Sequence, residues 1–330
     1  MADFTIYTRA YCEGSTGTLV SRRGPGREPL SQQNLLNEFR NHSNKKKRIH
    51  TALVSVSNRI VDTVKRAFDL HYEREKSPDN IWIAFIKVPA GKPALMHKAQ
   101  FLAKKCGLKD SSCFQHEFVF EWAIPEEYVS HQVSLRTLMD RGLEHQLPSI
   151  TELPPPTTEE LRHFIATKLG SVEPWLSSWE SGVCLGSFAR NFGARAPLNW
   201  IAHQLFRDCV RVCSVSTGVA RLVYEQRHSD TVSTDFFCHL DEGVETVLYD
   251  WWLTDIEFLS NYDEFKQWRD AMEESMSWEC IDFVELWEDT CHPSPTKEDL
   301  LSYDEAWHEL RSEHEKLRAT IEARAVQLGL

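Results

Sequence analysis

No apolar run in this 330-residue sequence approaches the ~20 residues needed to cross a bilayer, so no membrane partner is expected. The N-terminal stretch MADFTIYTRAYCEG has an acid at Asp3 and reaches Arg9 without an apolar segment, a pattern unlike a secretory signal. Low-complexity tracts and internal repeats are lacking too. The nine cysteines are odd in number and lack paired metal spacing, so they read as reduced thiols of a cytoplasmic protein, with no metal site. Cys209 and Cys213, four apart, suit one helix face better than a redox pair. G-x-x-x-x-G-K, G-x-G-x-x-G, G-x-S-x-G and H-E-x-x-H are all absent. P-loop NTPases, dinucleotide-binding βαβ units, α/β-hydrolases and zincin-type metalloproteases are thereby disfavoured.

What is present is an uneven spread of charge. The net charge of −12 conceals 20 Lys+Arg against 9 Asp+Glu over residues 1–109, a balance of +11. Residues 151–330 hold 15 against 33, a balance of −18. A basic half attracts phosphates locally even in an acidic protein. Its densest cluster is Lys45, Lys46, Lys47 and Arg48. Aromatic residues do not interleave with the basic clusters, so no platform for stacking single-stranded bases is expected.

The pattern along the chain is α+β. DFTIYTR alternates and reads as a first strand, HTALVSVS as a second, IWIAFIKVP as a buried strand and FQHEFVFEWAIPEEY as a strand ending at Pro125. Between them, SQQNLLNEFRNH reads as a helix capped by Ser31. NRIVDTVKRAFDLHYEREK gathers Ile60, Val61, Val64, Ala67, Phe68 and Tyr72 on one helical face. HKAQFLAKKCGL suggests a further short helix. The proline-rich segment 147–160 reads as a linker between an α+β domain over 1–146 and an acidic, mainly helical domain over 161–330. Thr157 and Glu160 give a capping-box start to the next helix. Near the C-terminus, Trp307, Leu310, Leu317 and Ile321 form one apolar stripe, which packing on the body explains.

Three strands carry residues that could do chemistry. Arg9 lies in YTRAY, Ser55 in ALVSVS, and Gln115 and Glu117 open QHEFVFEWAIP as a Q-x-E pattern, with Glu117 eight residues before Pro125. By alternation His116 should face away from Gln115 and Glu117. An ion pair between neighbouring strands is the plain alternative for Arg9 and Glu117. Their order and strand placement resemble the Arg–Ser–Glu arrangement of cholera-toxin-like ADP-ribosyltransferases, over roughly the first 145 residues. The resemblance implies that fold for the N-terminal domain and NAD as donor. It implies Arg9 on a phosphate of NAD and Ser55 buttressing the site. Glu117 would then stabilise the positive charge that develops as the bond to nicotinamide breaks. The serine segment departs from the family's Ser-Thr-Ser, reading Leu53-Val54-Ser55.

A second constellation is HLDEGVETVLYDWWL. Asp241, Glu242 and Glu245 form a D-E-x-x-E cluster, and on a helix Asp241 and Glu245 share a face. Such carboxylates suit a guanidinium, which they meet through paired planar hydrogen bonds; a divalent metal is the rival occupant. A solvated helix face is the plain alternative. The cluster and the overall character are similar to a fungal family of arginine-containing cyclodipeptide synthases, with which a D-D-x-x-E motif is associated. That likeness implies an enzyme of secondary metabolism that takes arginine and a second amino acid from aminoacyl-tRNA and uses no cofactor. Glu117 would be the base, and Asp241, Glu242 and Glu245 would hold the arginyl side chain. Lys45, Lys46, Lys47 and Arg48 would contact the phosphates of arginyl-tRNA. An NAD-dependent ADP-ribosyltransferase and a non-catalytic module of the same fold are the alternatives.

Overall fold

The computed structural model describes residues 4–12, 18–26, 28–44, 49–91, 96–147, 156–170, 177–216, 218–224, 228–260, 312 and 315–330. The chain divides into two compact units, Met1–Val244 and Glu245–Leu330. It is an α+β protein. The first unit is built on six antiparallel strands: β1 (Phe4–Cys12), β2 (Leu53–Ser57), β3 (Ile81–Pro89), β4 (Met96–Lys98), β5 (Glu117–Glu121) and β6 (Val129–Ser134). They lie side by side in the order β4-β5-β2-β1-β3-β6. β1 and β3 pair over nine residues, from Phe4↔Pro89 to Cys12↔Ile81. The unbroken apolar run of β3 follows from its place in the sheet. Ile83, Ala84, Phe85 and Ile86 are all fully buried, so side chains on both faces of the strand are covered.

The helices explain that cover. α1 (Gln32–Ser43) starts where Ser31 Oγ accepts a hydrogen bond from Asn34 N. α2 (Ile60–Tyr72) buries Ile60, Val61, Val64, Ala67 and Phe68 along the expected stripe, with Tyr72 half-buried at its end. α3 (Ala99–Lys105) turns Ala99, Leu102 and Ala103 inward, where they meet Leu35 and Phe39 of α1. The short α4 (Leu135–Asp140) and α5 (Leu143–Gln146) follow the sheet. Beyond them come α6 (Thr158–Gly170), α7 (Ser177–Arg190) and α8 (Leu198–Cys209), and α6 and α8 pack against α2. The capping box of α6 forms as expected: Glu160 N donates to Thr157 Oγ1 at 3.2 Å, and Thr157 N donates back to Glu160 Oε2 at 2.7 Å. Most of the linker, residues 148–155, lies outside the described residues, as do Trp307 and Leu310 of the C-terminal stripe.

Three expectations need correction. The segment expected as a strand from Phe114 is strand only over Glu117–Glu121. Gln115 ends a 3-10 turn at φ −58°, ψ −36°, and Trp122 leaves the sheet at φ +63°. The half expected to be mainly helical also contains a three-stranded antiparallel sheet, β7 (Arg211–Ser216), β8 (Val219–Tyr224) and β9 (His228–Ser233). Its strands are short and lie between long helical runs, so they give only weak local signals. Cys209 therefore ends α8 while Cys213 lies in β7, and the two share no helix face.

The helix α9 (Thr234–Ser260) carries the D-E-x-x-E segment. Its start crosses α7 closely, with two glycines at the crossing. A Cβ on Gly182 would lie 2.1 Å from the carbonyl oxygen of Leu240, and one on Gly243 would lie 2.1 Å from that of Trp179. In the second unit, Trp252, Leu253 and Ile256 of α9 are buried, as are Ile321 and Ala325 of a helix over 315–328.

Candidate active site

The strand order brings three of the four expected catalytic positions together. β2 pairs with β1 on one side and β5 on the other, so Ser55 stands on a strand flanked by those of Arg9 and Glu117. Arg9 and Glu117 are thus two strands apart, which corrects the idea that their strands are neighbours. All three line a cavity of about 640 Å³, and so do Gln115 and His116. The alternation argument for His116 fails because residues 111–115 form a 3-10 turn and the strand begins only at Glu117. A smaller cavity of about 490 Å³ shares His42, Ser55, Asp62, Arg66, Glu117 and Thr158 with the first.

Arg9 is fixed by backbone. Its Nε donates to the carbonyl of Thr18 at 2.8 Å and its Nη1 to the carbonyl of Ser55. Thr18 is in place because its loop is tied to the end of β5. Ile124 N donates to Leu19 O at 2.8 Å, Ser21 N to Trp122 O at 2.7 Å, and Trp122 Nε1 to Glu28 O at 2.8 Å. Gly26 lies over the Trp122 ring, where a Cβ would come within 2.1 Å of it. The positive φ of Trp122 is the local cost of aiming that ring at the loop. Burial lowers the proton affinity of Arg9 to a pKa of about 10, opposed by the Glu117 carboxylate, and the guanidinium stays charged at neutral pH.

Glu117 begins β5 opposite Ser57 and remains partly open to the cavity. His42 Nε2 lies 3.6 Å from its Oε1, and the other ring nitrogen, Nδ1, is 3.1 Å from the Thr51 hydroxyl. His116 is held by Asn58: Nδ1 is 3.0 Å from Asn58 Oδ1, and Asn58 N donates to His116 O at 3.1 Å. Burial, with Arg59, Arg162 and Lys98 nearby, pushes the His116 imidazole down to about 4, so it is neutral at physiological pH. Sequence reasoning missed His42, Arg59, Arg66 and Arg162. They come from three helices, α1, α2 and α6, and from the residue that precedes α2, which only the fold gathers. Ser57 was the one legible signal, since Ser55-Val56-Ser57 repeats a serine on alternate positions of β2.

The acidic segment behaves differently. Asp241 is exposed and lies 2.6 Å from His203 Nε2. Glu245 pairs with Arg318 Nη1 at 2.7 Å. The Arg318 guanidinium also lies 5.0 Å over the Tyr249 ring, whose hydroxyl donates to Glu322 at 2.6 Å. Glu242 is exposed. None of the three carboxylates lines either cavity. Lys45, Lys46, Lys47 and Arg48 lie outside the described residues. Among the described residues no three His, Cys, Asp or Glu side chains are grouped to hold a metal ion, and no helix is long and apolar enough to cross a membrane.

No curated protein and no solved structure matches the chain. Residues 8–138 match the model of one family, described as a domain of unknown function (DUF7587). The match runs from β1 into α4 and includes Arg9, Ser55, Gln115 and Glu117; Arg162 and the acidic segment of α9 fall beyond it.

Proposed function

We propose that the chain is a cytoplasmic transferase whose active site is the cavity at Arg9, Ser55 and Glu117, and that its donor is NAD, from which it transfers ADP-ribose. One observation carries the reading: three adjacent strands bring a fixed arginine, a serine and a partly open carboxylate to one cavity. The cavity is positive, with four arginines against two acids on its wall, and Arg9, held beside Ser55, is the one placed for a pyrophosphate. Glu117 would face the ribose carbon from which nicotinamide departs and stabilise the oxocarbenium-like charge that develops there. The neutral His116 leaves that charge unopposed. The resemblance to an ADP-ribosyltransferase fold agrees with the order of the strands' residues. Release of nicotinamide from NAD, with water as the default acceptor, tests it. No release and no binding of NAD at millimolar concentration would remove the reading.

A second reading has its own support. Two cavities meet at Glu117, and a site that joins two substrates needs two places beside one base. On this reading the enzyme is a tRNA-dependent cyclodipeptide synthase of secondary metabolism. Glu117 takes the ammonium proton of one aminoacyl-tRNA, whose amine attacks the ester carbonyl of the other and expels the first tRNA; the free amine of the resulting dipeptidyl-tRNA then attacks the remaining ester, which closes the ring and frees the second tRNA. Glu245 and Tyr249 already hold a guanidinium, that of Arg318, which is the chemistry an arginyl substrate would need. Incubation with arginine, a second amino acid, ATP, tRNA and synthetases should then give a cyclic dipeptide that ribonuclease abolishes.

A further inference from the structure

The positive charge in the larger cavity exceeds what a pyrophosphate at Arg9 requires. Arg59 flanks the start of α2, Arg66 lies one to two turns along it, and Arg162 reaches in from α6. Of these three, among the described residues, only Arg162 has a carboxylate partner at close range, Asp62 at 3.2 Å. Among the described residues no carboxylate forms an ion pair with Arg59. Burial pushes the Asp62 carboxyl up, against the pull of Arg59 and Arg162, so this acid is the weaker counter-charge to the two arginines on the cavity wall. Burial lowers the proton affinity of Arg59 and Arg162 lowers it further, opposed by Asp62 and Asp208. Half-desolvated like charges that weaken one another are costly unless an anion joins them. Arg9, by contrast, spends donors on two carbonyls of its own chain.

We propose that Arg59 and Arg162 form a phosphate-binding position of their own, apart from Arg9, and that the ligand is a nucleotide carrying a phosphomonoester in addition to its pyrophosphate. NADP differs from NAD in this way. The inference rests on the cavity holding a dinucleotide donor. A phosphomonoester brings a charge of about −1.5 to −2 at neutral pH to the two guanidiniums, which meet it through charge-assisted, forked hydrogen bonds.

Calorimetric titration of the full chain with NAD, NADP and inorganic phosphate tests the proposal. NADP should bind about tenfold or more tightly than NAD, the scale of one charge-assisted contact. Arg59→Gln and Arg162→Lys should shrink that gap to under about threefold while changing NAD affinity less than about twofold. Arg162→Lys keeps a cation for Asp62, and thermal melts confirm that both variants fold. Equal affinity for the two dinucleotides, or equal weakening of both by the variants, would overturn the proposal. If neither dinucleotide binds, the donor reading fails separately. Inorganic phosphate then tests the position alone: binding weakened at least about threefold in Arg59→Gln supports it, and no binding, or binding unchanged in that variant, overturns it.

Discussion

The sheet of the first unit and the acidic helix α9 both present charged side chains, but they treat them in opposite ways. The sheet takes Arg9, Ser55 and Glu117, up to 108 residues apart in sequence, and sets them on adjacent strands around one cavity. α9 takes carboxylates that are neighbours in sequence and gives them separate partners, His203 for Asp241 and Arg318 for Glu245. Proximity in sequence on a helix spreads groups around a cylinder, whereas cross-strand register converges groups that are remote. The cavity's charges are half-desolvated and poorly matched, and those of α9 are mostly solvated and matched. Mismatch under desolvation is the mark of a site that waits for a ligand.

The largest effect expected from this contrast is at Glu117. Glu117→Gln should cut donor cleavage by about 100-fold or more, the usual scale for a residue that stabilises charge or moves a proton in the transition state. The melting temperature should move little, because Glu117 is partly open to the cavity and Arg9, the buried cation it faces, keeps its hydrogen bonds to the carbonyls of Thr18 and Ser55. Nicotinamide release, or cyclic dipeptide yield on the second reading, measures the first; thermal unfolding measures the second. Activity retained within a few-fold would move the chemistry away from the sheet altogether.

Next comes Asp208, a buried acid near the cavity that contrasts with exposed Asp241. Asp208 Oδ2 accepts from Val61 N at 3.2 Å and Oδ1 from Gln204 Nε2 at 2.8 Å, so it anchors the first turn of α2 from the end of α8. Burial pushes its carboxyl up to about 7, against its two hydrogen bonds. Because the folded state holds the proton more tightly than the unfolded chain, native Asp208 binds more protons between its unfolded value of 3.8 and about 7. Stability from this group is therefore full at low pH and declines as pH rises through that window, by on the order of 4 kcal/mol. Asp208→Asn should remove that component: Gln204 can turn its amide to accept, and Val61 N keeps an oxygen. Denaturant unfolding from pH 4 to pH 8 should show wild type losing stability relative to the variant. Parallel curves would mean that Asp208 stays ionised in the fold.

How much of this was legible before the fold was known depends on the physics each residue obeys. The strands of Arg9 and Ser55, the buried run Ile81–Pro89, the stripe of α2 and the caps at Ser31 and Thr157 follow from local rules: alternation, helical period and capping hydrogen bonds. Gln115 and His116 escape the strand pattern because the 3-10 turn Ser111–Phe114 leaves no periodic trace and the strand begins only at Glu117. β7 to β9 were lost because short strands between long helical patterns give weak signals. His42, Arg66 and Arg162 were illegible in principle, since only the packing of α1, α2 and α6 around the sheet brings them to Glu117.

A third effect, smaller again, concerns the glycine inside the acidic segment. Gly243 lets α9 approach the backbone of Trp179 on α7. Gly243→Ala would normally favour a helix slightly, yet here the new Cβ would meet a carbonyl oxygen at 2.1 Å, and backbone cannot swing aside as a side chain does. The expected cost is about 1–3 kcal/mol in denaturant unfolding. A neutral or stabilising result would show that α7 and α9 can separate freely.

The smallest expected effects belong to the carboxylates themselves, and they bear most directly on whether α9 is a site or a surface. Asp241→Asn loses a contact with His203 in which both side chains are well exposed. Exposed pairs are screened and pay side-chain entropy, so stability should change by about half a kcal/mol or less. Glu242→Gln should do no more. Glu245→Gln loses a contact with Arg318, whose chain also lies over Tyr249, and should cost up to about 1 kcal/mol, since packing of the guanidinium on the ring survives. If α9 only presents a solvated face, all three variants keep donor cleavage within about twofold. If instead these carboxylates hold an arginyl substrate, each should impair use of arginine by tenfold or more, since a desolvated charge pair commonly carries about 2–5 kcal/mol of binding. Melts and arginine-dependent product yield, run on the same three preparations, separate these outcomes by more than an order of magnitude. A loss of arginine use with an unchanged melt would make α9 a working part of the site and would end the contrast with the sheet.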